Sequence, residues 1–147
     1  MQTFLPYSSF EQSAKSLDRM RLGKQRVECK QLLQALQTGP VVVTAKGEKK
    51  TPWYNHPATK MWAGHEGALI EYAIQVCLEW RNRGYNDSLL PFFESQKTKY
   101  STNNPRWLGD ENFHNSHKSN LLRKNPEYYS KNNWSVSPEL PYVWPTE

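Results

Sequence analysis

Between Pro57 and Gly84, apolar and aromatic side chains recur at helical spacing: Trp62, His65, Leu69, Tyr72, Val76 and Trp80. A period near 3.6 puts them on one stripe, so this stretch must bury one face along its length. Pro57 suits the first turn of a helix. Arg81 and Arg83 suit its last turn, and Gly84 suits the stop. The spacing predicts the longest helix of the chain from Pro57 to about Arg83.

Weaker versions of the same pattern flank it. Residues 2–7 read as extended and stop at Pro6. Ser9, with Gln12 three positions on, is a capping box that opens a helix burying Phe10, Ala14 and Leu17. Gly23 marks a kink or a break. A second helical run follows to about Leu36, with Leu22, Cys29, Leu33 and Leu36 on one face, and Gly39-Pro40 ends it. Residues 40–56 read as a basic loop, in which Val41–Thr44 has strand character but no obvious partner. A second loop spans about 86–108. Asp110 caps a third helix with Phe113, His117 and Leu121 inward, and Pro126 ends it or opens another turn. The apolar, rigid tail Leu140–Pro145 is expected to dock on the helices. The expected fold is mostly α: a single compact domain over 1–147, with about three to four helices, long loops and a docked C-terminal tail.

Composition agrees with one domain. Only 37% of the 147 residues are apolar, but six Trp, eight Tyr and five Phe supply enough large side chains for a core. No apolar run reaches the length of a membrane span, and the first residues lack the charged lead and apolar stretch of a secretory signal. The expectation is a cytoplasmic monomer with no membrane partner. Cys29 and Cys77 fall on apolar helical stripes and read as reduced core residues, with a disulfide the less favoured alternative.

The net charge of +5 points to a polyanion, nucleic acid before membrane. Most of the excess lies between Lys15 and Lys30, where Lys15, Arg19, Arg21, Lys24, Arg26 and Lys30 face only Asp18 and Glu28. Arg21, Lys24 and Glu28, three and four residues apart, share a helical face. In one reading the cations hold phosphates and Glu28 handles a proton. In the other, the same charges form a solvated ladder of salt bridges. Lys46, Lys49 and Lys50 make the first loop a further phosphate contact.

Two other constellations stand out. Asp110, His114 and His117 share a face and could ligate a metal, but no convincing further ligand accompanies them. Beside Lys118, Asn120, Arg123 and Lys124, the histidines fit phosphate binding or a hydrogen-bonded core better. No metal and no cofactor is expected. Trp53, Tyr54, Trp107 and Trp134 lie in loops beside cations, where aromatics either stack on bases or anchor the packing. There is no Gly-rich phosphate cradle and no Gly-x-Ser-x-Gly elbow.

Taken in order, these segments resemble the endonuclease V-type pyrimidine-dimer DNA glycosylases, small and mostly helical DNA-repair enzymes. The resemblance is carried by Leu17-Asp18-Arg19-Met20-Arg21-Leu22-Gly23-Lys24-Gln25-Arg26-Val27-Glu28, by His56-Pro57 through Met61-Trp62, by Glu79-Trp80-Arg81-Asn82-Arg83-Gly84-Tyr85, and by Gly109-Asp110, His114 and Pro126-Glu127-Tyr128-Tyr129. It implies a bifunctional DNA glycosylase and AP lyase, an endonuclease acting on double-stranded DNA. Its amino-terminal α-amine attacks C1′ of the damaged nucleotide and forms a Schiff base. A glutamate assists, and β-elimination then cuts the strand. The implied catalytic residues here are Met1 or Gln2, whichever bears the free amine, with Glu28. The expected DNA contacts are Arg19, Arg21, Lys24, Arg26, Lys49, Lys50, His56, His114, His117, Lys118, Asn120, Arg123 and Lys124. Two positions depart from the family pattern. Gln2 is large where the family exposes a small residue after loss of Met1, which leaves the amine of Met1, that of Gln2, or Lys24 as nucleophile. Val27 separates Arg26 from Glu28, which moves the glutamate about 100° round the helix. A local irregularity at Gly23 is what would bring it back. The alternatives are a non-catalytic DNA-binding protein on the same scaffold, or an enzyme acting on another modified base or nucleotide.

Overall fold

The computed structural model describes residues 2–145. Among them are seven α-helices: α1 (Phe10–Ser16), α2 (Arg19–Thr38), α3 (Pro57–Trp62), α4 (Glu66–Asn82), α5 (Leu90–Lys97), α6 (Glu111–Lys124) and α7 (Pro126–Tyr129). One antiparallel hairpin, β1 (Val41–Thr44) and β2 (Gly47–Lys50), with Val41 opposite Lys50 and Thr44 opposite Gly47, and a 3-10 turn at Ser130–Asn132 complete the regular structure of the described residues. The fold is mostly α, as expected.

Helix α4 is the centre of the domain and touches α1, α2, α3 and α5. Its Leu69, Ile70, Tyr72, Ala73 and Val76 are completely buried, with Leu22 and Leu33 from α2, Trp62 from α3, Phe93 from α5 and Phe113 from α6. Each side chain of this size contributes about 1.5–3 kcal/mol when fully removed from water. The tail docks on α6: the Leu140 N–H donates to Ser119 Oγ (2.9 Å) and the Val143 N–H to Ser116 Oγ (3.2 Å).

The helix count exceeds three to four because several boundaries fall elsewhere. The run from Pro57 to Arg83 is two helices, broken at Gly64, where φ is +81°. A left-handed residue interrupts the hydrogen-bond ladder however well the apolar stripe continues. Gly23 is not a break. It lies inside α2, and a Cβ there would stand 2.9 Å from the Trp80 ring, so glycine serves close packing of α2 on α4. The real break is at Leu17–Asp18, both extended. Helix α5 sits within the expected second loop, because Leu90, Phe93 and half-buried Phe92 pack inward. Val41–Thr44 does have a strand partner, in the polar Gly47–Lys50. Pro126 opens a helix, with Asn125 as its cap.

Cys29 and Cys77 are both buried and free. Burial raises the Cys29 thiol well above its ordinary pKa, and burial beside Asp87 pushes Cys77 up to about 12. Among the described residues, no helix is long and apolar enough to cross a membrane.

Candidate active site

The site is organised around the first residues of the chain. Side chains from four helices hold the segment Gln2–Leu5. Gln25 of α2 pairs with it in both directions: its Nε2 donates to the Gln2 carbonyl (2.7 Å) and its Oε1 accepts from the Phe4 N–H (2.7 Å). The Tyr72 hydroxyl of α4 donates to the Phe4 carbonyl (2.6 Å). The Trp62 indole N–H donates to Thr3 Oγ1 (3.0 Å). Two histidines of α6 take the next residue. His117 Nδ1 accepts from the Leu5 N–H (2.8 Å), and His114 Nδ1 lies 2.7 Å from the Leu5 carbonyl.

That pattern fixes the protonation of the pair. His114 Nε2 accepts from the Gly109 N–H (2.8 Å), so its Nδ1 carries the proton and donates to Leu5. Burial lowers both pKa values, that of His117 to about 3, so the two rings are neutral at physiological pH.

Glu28 meets the start of this segment. The Gln2 N–H donates to Glu28 Oε2 at 3.2 Å. Helix α2 is continuous past Gly23, so no irregularity is needed to bring the glutamate round. The face carrying Arg21, Gln25 and Glu28, at steps of four and three, is the one turned to the chain start. Arg26 belongs to a different face.

Beside this contact is an open cavity of about 480 Å³. Gln2 and Phe4 line it together with Arg21, Lys24, Gln25 and Glu28 of α2. Lys124, Asn125 and Tyr142 line it from α6, the α6–α7 junction and the tail. Asp18 at its edge holds Arg21 (3.2 Å) and accepts the Tyr129 hydroxyl. Burial and that bond hold the Tyr129 phenol well above its usual pKa, so it stays a donor. Three cations and two carboxylates thus surround one solvent-open space. Such a space suits an anionic backbone and a proton-transfer group together.

The expected contact residues divide. Met1 lies outside the described residues. Gln2, Glu28, Arg21, Lys24 and Lys124 come together at the cavity. Arg19 is exposed on the first turn of α2, and Lys49 and Lys50 are exposed on β2. Arg26 does not face the cavity. Its Nε lies 3.1 Å from Asp87 Oδ1, and its guanidinium stacks on Trp80 (5.0 Å). The Asp87 side chain is fully buried and also accepts the Leu90 N–H at the start of α5 (2.8 Å), so Arg26 joins α2 to α5. His56 caps α3, its Nδ1 accepting from the Ala58 N–H (3.0 Å).

On α6 the expected contact residues split: His114, His117 and Asn120 are buried and cannot meet DNA as placed, whereas Lys118 is half-exposed and Arg123 and Lys124 are exposed. His114 and His117 are buried and face the chain, not solvent. Asn120 Nδ2 donates to the Ser116 (2.7 Å) and Leu140 (3.2 Å) carbonyls. Arg123 donates to Asn120 Oδ1 and to the Pro138 carbonyl. Lys118 lies over the Tyr7 ring (5.1 Å). His114, His117 and Asn120 are thus engaged in folding the chain, and Arg123 also ties down the tail from an exposed position. Among the described residues, no group of His, Cys, Asp and Glu could hold a metal.

Gln25, Tyr72 and Asp18 take part in building the candidate site, and sequence reasoning missed them. Gln25 left a signal: an amide on the buried stripe of α2, between Leu22 and Cys29, needs a polar partner.

A family model described as pyrimidine dimer DNA glycosylase matches residues 1–90. That span contains α2, the chain start and α4, and so the Gln2–Glu28 contact. Comparisons with curated proteins and with solved structures return no match. The match covers well over half of the chain, and the chain belongs to the pyrimidine dimer DNA glycosylase family, whose members are DNA-binding repair glycosylases.

Proposed function

We propose that the chain is a DNA glycosylase with AP-lyase activity, in which the α-amine at its start is the nucleophile and Glu28 the proton-transfer group. One observation carries this reading: the Gln2 backbone nitrogen donates to Glu28 Oε2 at 3.2 Å, at the edge of a cation-lined cavity. Loss of Met1 would make that same nitrogen the free amine. With Met1 retained, the amine would lie one residue upstream, within about 4 Å of chain.

The chemistry suits an α-amine. With an unperturbed pKa near 8, roughly a tenth is unprotonated at pH 7, hundreds of times the fraction of a lysine. Its lone pair attacks C1′, the glycosidic bond breaks, and the base departs with that electron pair and a proton. The sugar ring opens to the imine. A proton then leaves C2′ and the C3′–O bond breaks, releasing the 3′ phosphate. Glu28 takes the proton that the amine loses and returns one to the sugar oxygen. Arg21, Lys24 and Lys124 hold the flanking phosphates. The reading is of a monomer acting on double-stranded DNA in the cytoplasm.

The test is borohydride reduction on an abasic duplex, read by intact mass. A covalent adduct is expected, with the mass reporting whether Met1 or Gln2 begins the chain. DNA binding without any adduct overturns the lyase reading.

A further inference from the structure

Glu28 and Lys24 also border a second recess. It measures about 410 Å³ and is lined by Lys24, Val27, Glu28, Gln31 and Trp53. Two of these are apolar and exposed: Val27 at 47% and Trp53 at 44%. The other five tryptophans are buried or half-buried in the packing. Trp107 bonds the Met61 carbonyl (3.2 Å), and Trp134 stacks on Tyr129 while donating to the Tyr7 hydroxyl (2.9 Å). Trp53 stands outside the hydrophobic cluster that contains or contacts them.

Its backbone is also unusual. Trp53 has φ +68°, a left-handed conformation that a large aromatic residue rarely adopts. The turn is held by the Trp53 carbonyl, which accepts from the His56 N–H (3.1 Å) and the Thr59 hydroxyl (2.6 Å). The ring meets His56 edge-on, centroids 5.8 Å apart. So the indole is fixed at its backbone and one edge, in a strained turn, with its surface open beside a cation and a carboxylate. Strain retained without a packing reason marks a functional position.

We propose that this recess is a base-stacking subsite: the Trp53 indole takes the face of a nucleobase unstacked at the damaged position, Lys24 takes its phosphate, and the reacting sugar lies over Glu28 between the two recesses. The stacking is tolerant of base identity, because every base presents a π-face. This rests on the glycosylase reading above, and deepens it by giving one residue the job of holding the duplex open.

The test uses the full chain and a duplex with one uncleavable tetrahydrofuran abasic analogue. Trp53→Ala is expected to weaken binding about tenfold or more and Trp53→Phe to retain most of it. The slope of log Kd against log salt is expected to stay the same in both, because no charge is altered. Trp53→Gly separates stacking from stability: it relieves the left-handed strain, so Tm should not fall, yet binding should fall as in Trp53→Ala. DNA should quench tryptophan emission in the wild type and not in Trp53→Phe. A 2-aminopurine placed beside the abasic site, or across from it, identifies the stacked base. Wild-type affinity in Trp53→Ala, with unaltered quenching, overturns the inference alone. Failure of the wild type to bind the duplex overturns the glycosylase reading with it.

Discussion

Helices α2 and α6 both carry charged, amide or imidazole side chains at spacings of three and four, and both read from sequence as surfaces for DNA. Both in fact meet the same segment at the chain start. On α2, Gln25 binds its backbone while Glu28, Lys24 and Arg21 border an open cavity. On α6, His114 and His117 bind the next residue and are buried doing so. Spacing says which groups share a face. Whether that face meets solvent or chain depends on a segment far away in sequence.

The sharpest break of this contrast is Glu28→Gln. It keeps the shape and removes the charge, so strand cutting on an abasic duplex should fall at least about a hundredfold, with Tm unchanged. Near-normal single-turnover rates would move the chemistry off α2. His117→Ala should do the reverse. It leaves the Leu5 N–H without an acceptor and a hole beside Phe113, whose ring is 4.4 Å away. A loss of about 2–4 kcal/mol in urea unfolding is expected. A loss within error would show that α6 is not the structural clasp.

The pH dependence sharpens the same point. His117 titrates near 6.5 when unfolded but at about 3 when folded, with burial as the cause. Between those values the unfolded chain binds more protons, so stability is fully present above about pH 6.5 and falls as pH drops toward 3. His117→Asn, which can still accept from Leu5 without titrating, should flatten thermal stability measured across that window. The smallest effect separates two cations. Lys24→Ala should reduce the salt slope of DNA binding by about one, and Arg123→Ala should leave it unchanged, because Arg123 holds the tail.

Local chemistry explains what was legible. Ser9 caps Gln12 and Asp110 caps Asn112, as their side chains dictate within three residues. The cation–carboxylate stretch of α2 was visible for the same reason. Gly64 was hidden by the apolar stripe running through it. Gly47–Lys50 is too polar to read as a strand, and pairs only because the turn returns it to Val41–Thr44. The roles of His117, Asn120 and Arg26 depend on Leu5, Leu140 and Asp87, contacts between 20 and 112 residues apart that no periodicity encodes.

The clasp on Leu5 has a temporal consequence. Leu5 waits for partners made more than a hundred residues later, at positions 114 and 117. Closing so long a loop is slow and comes late in folding. A nascent or truncated chain lacking α6 would therefore carry the glutamate and the cations with Leu5 free of its clasp, while Gln25 and Tyr72 still reach Gln2 and Phe4. The candidate site would be fully assembled only once α6 has formed and closed on Leu5.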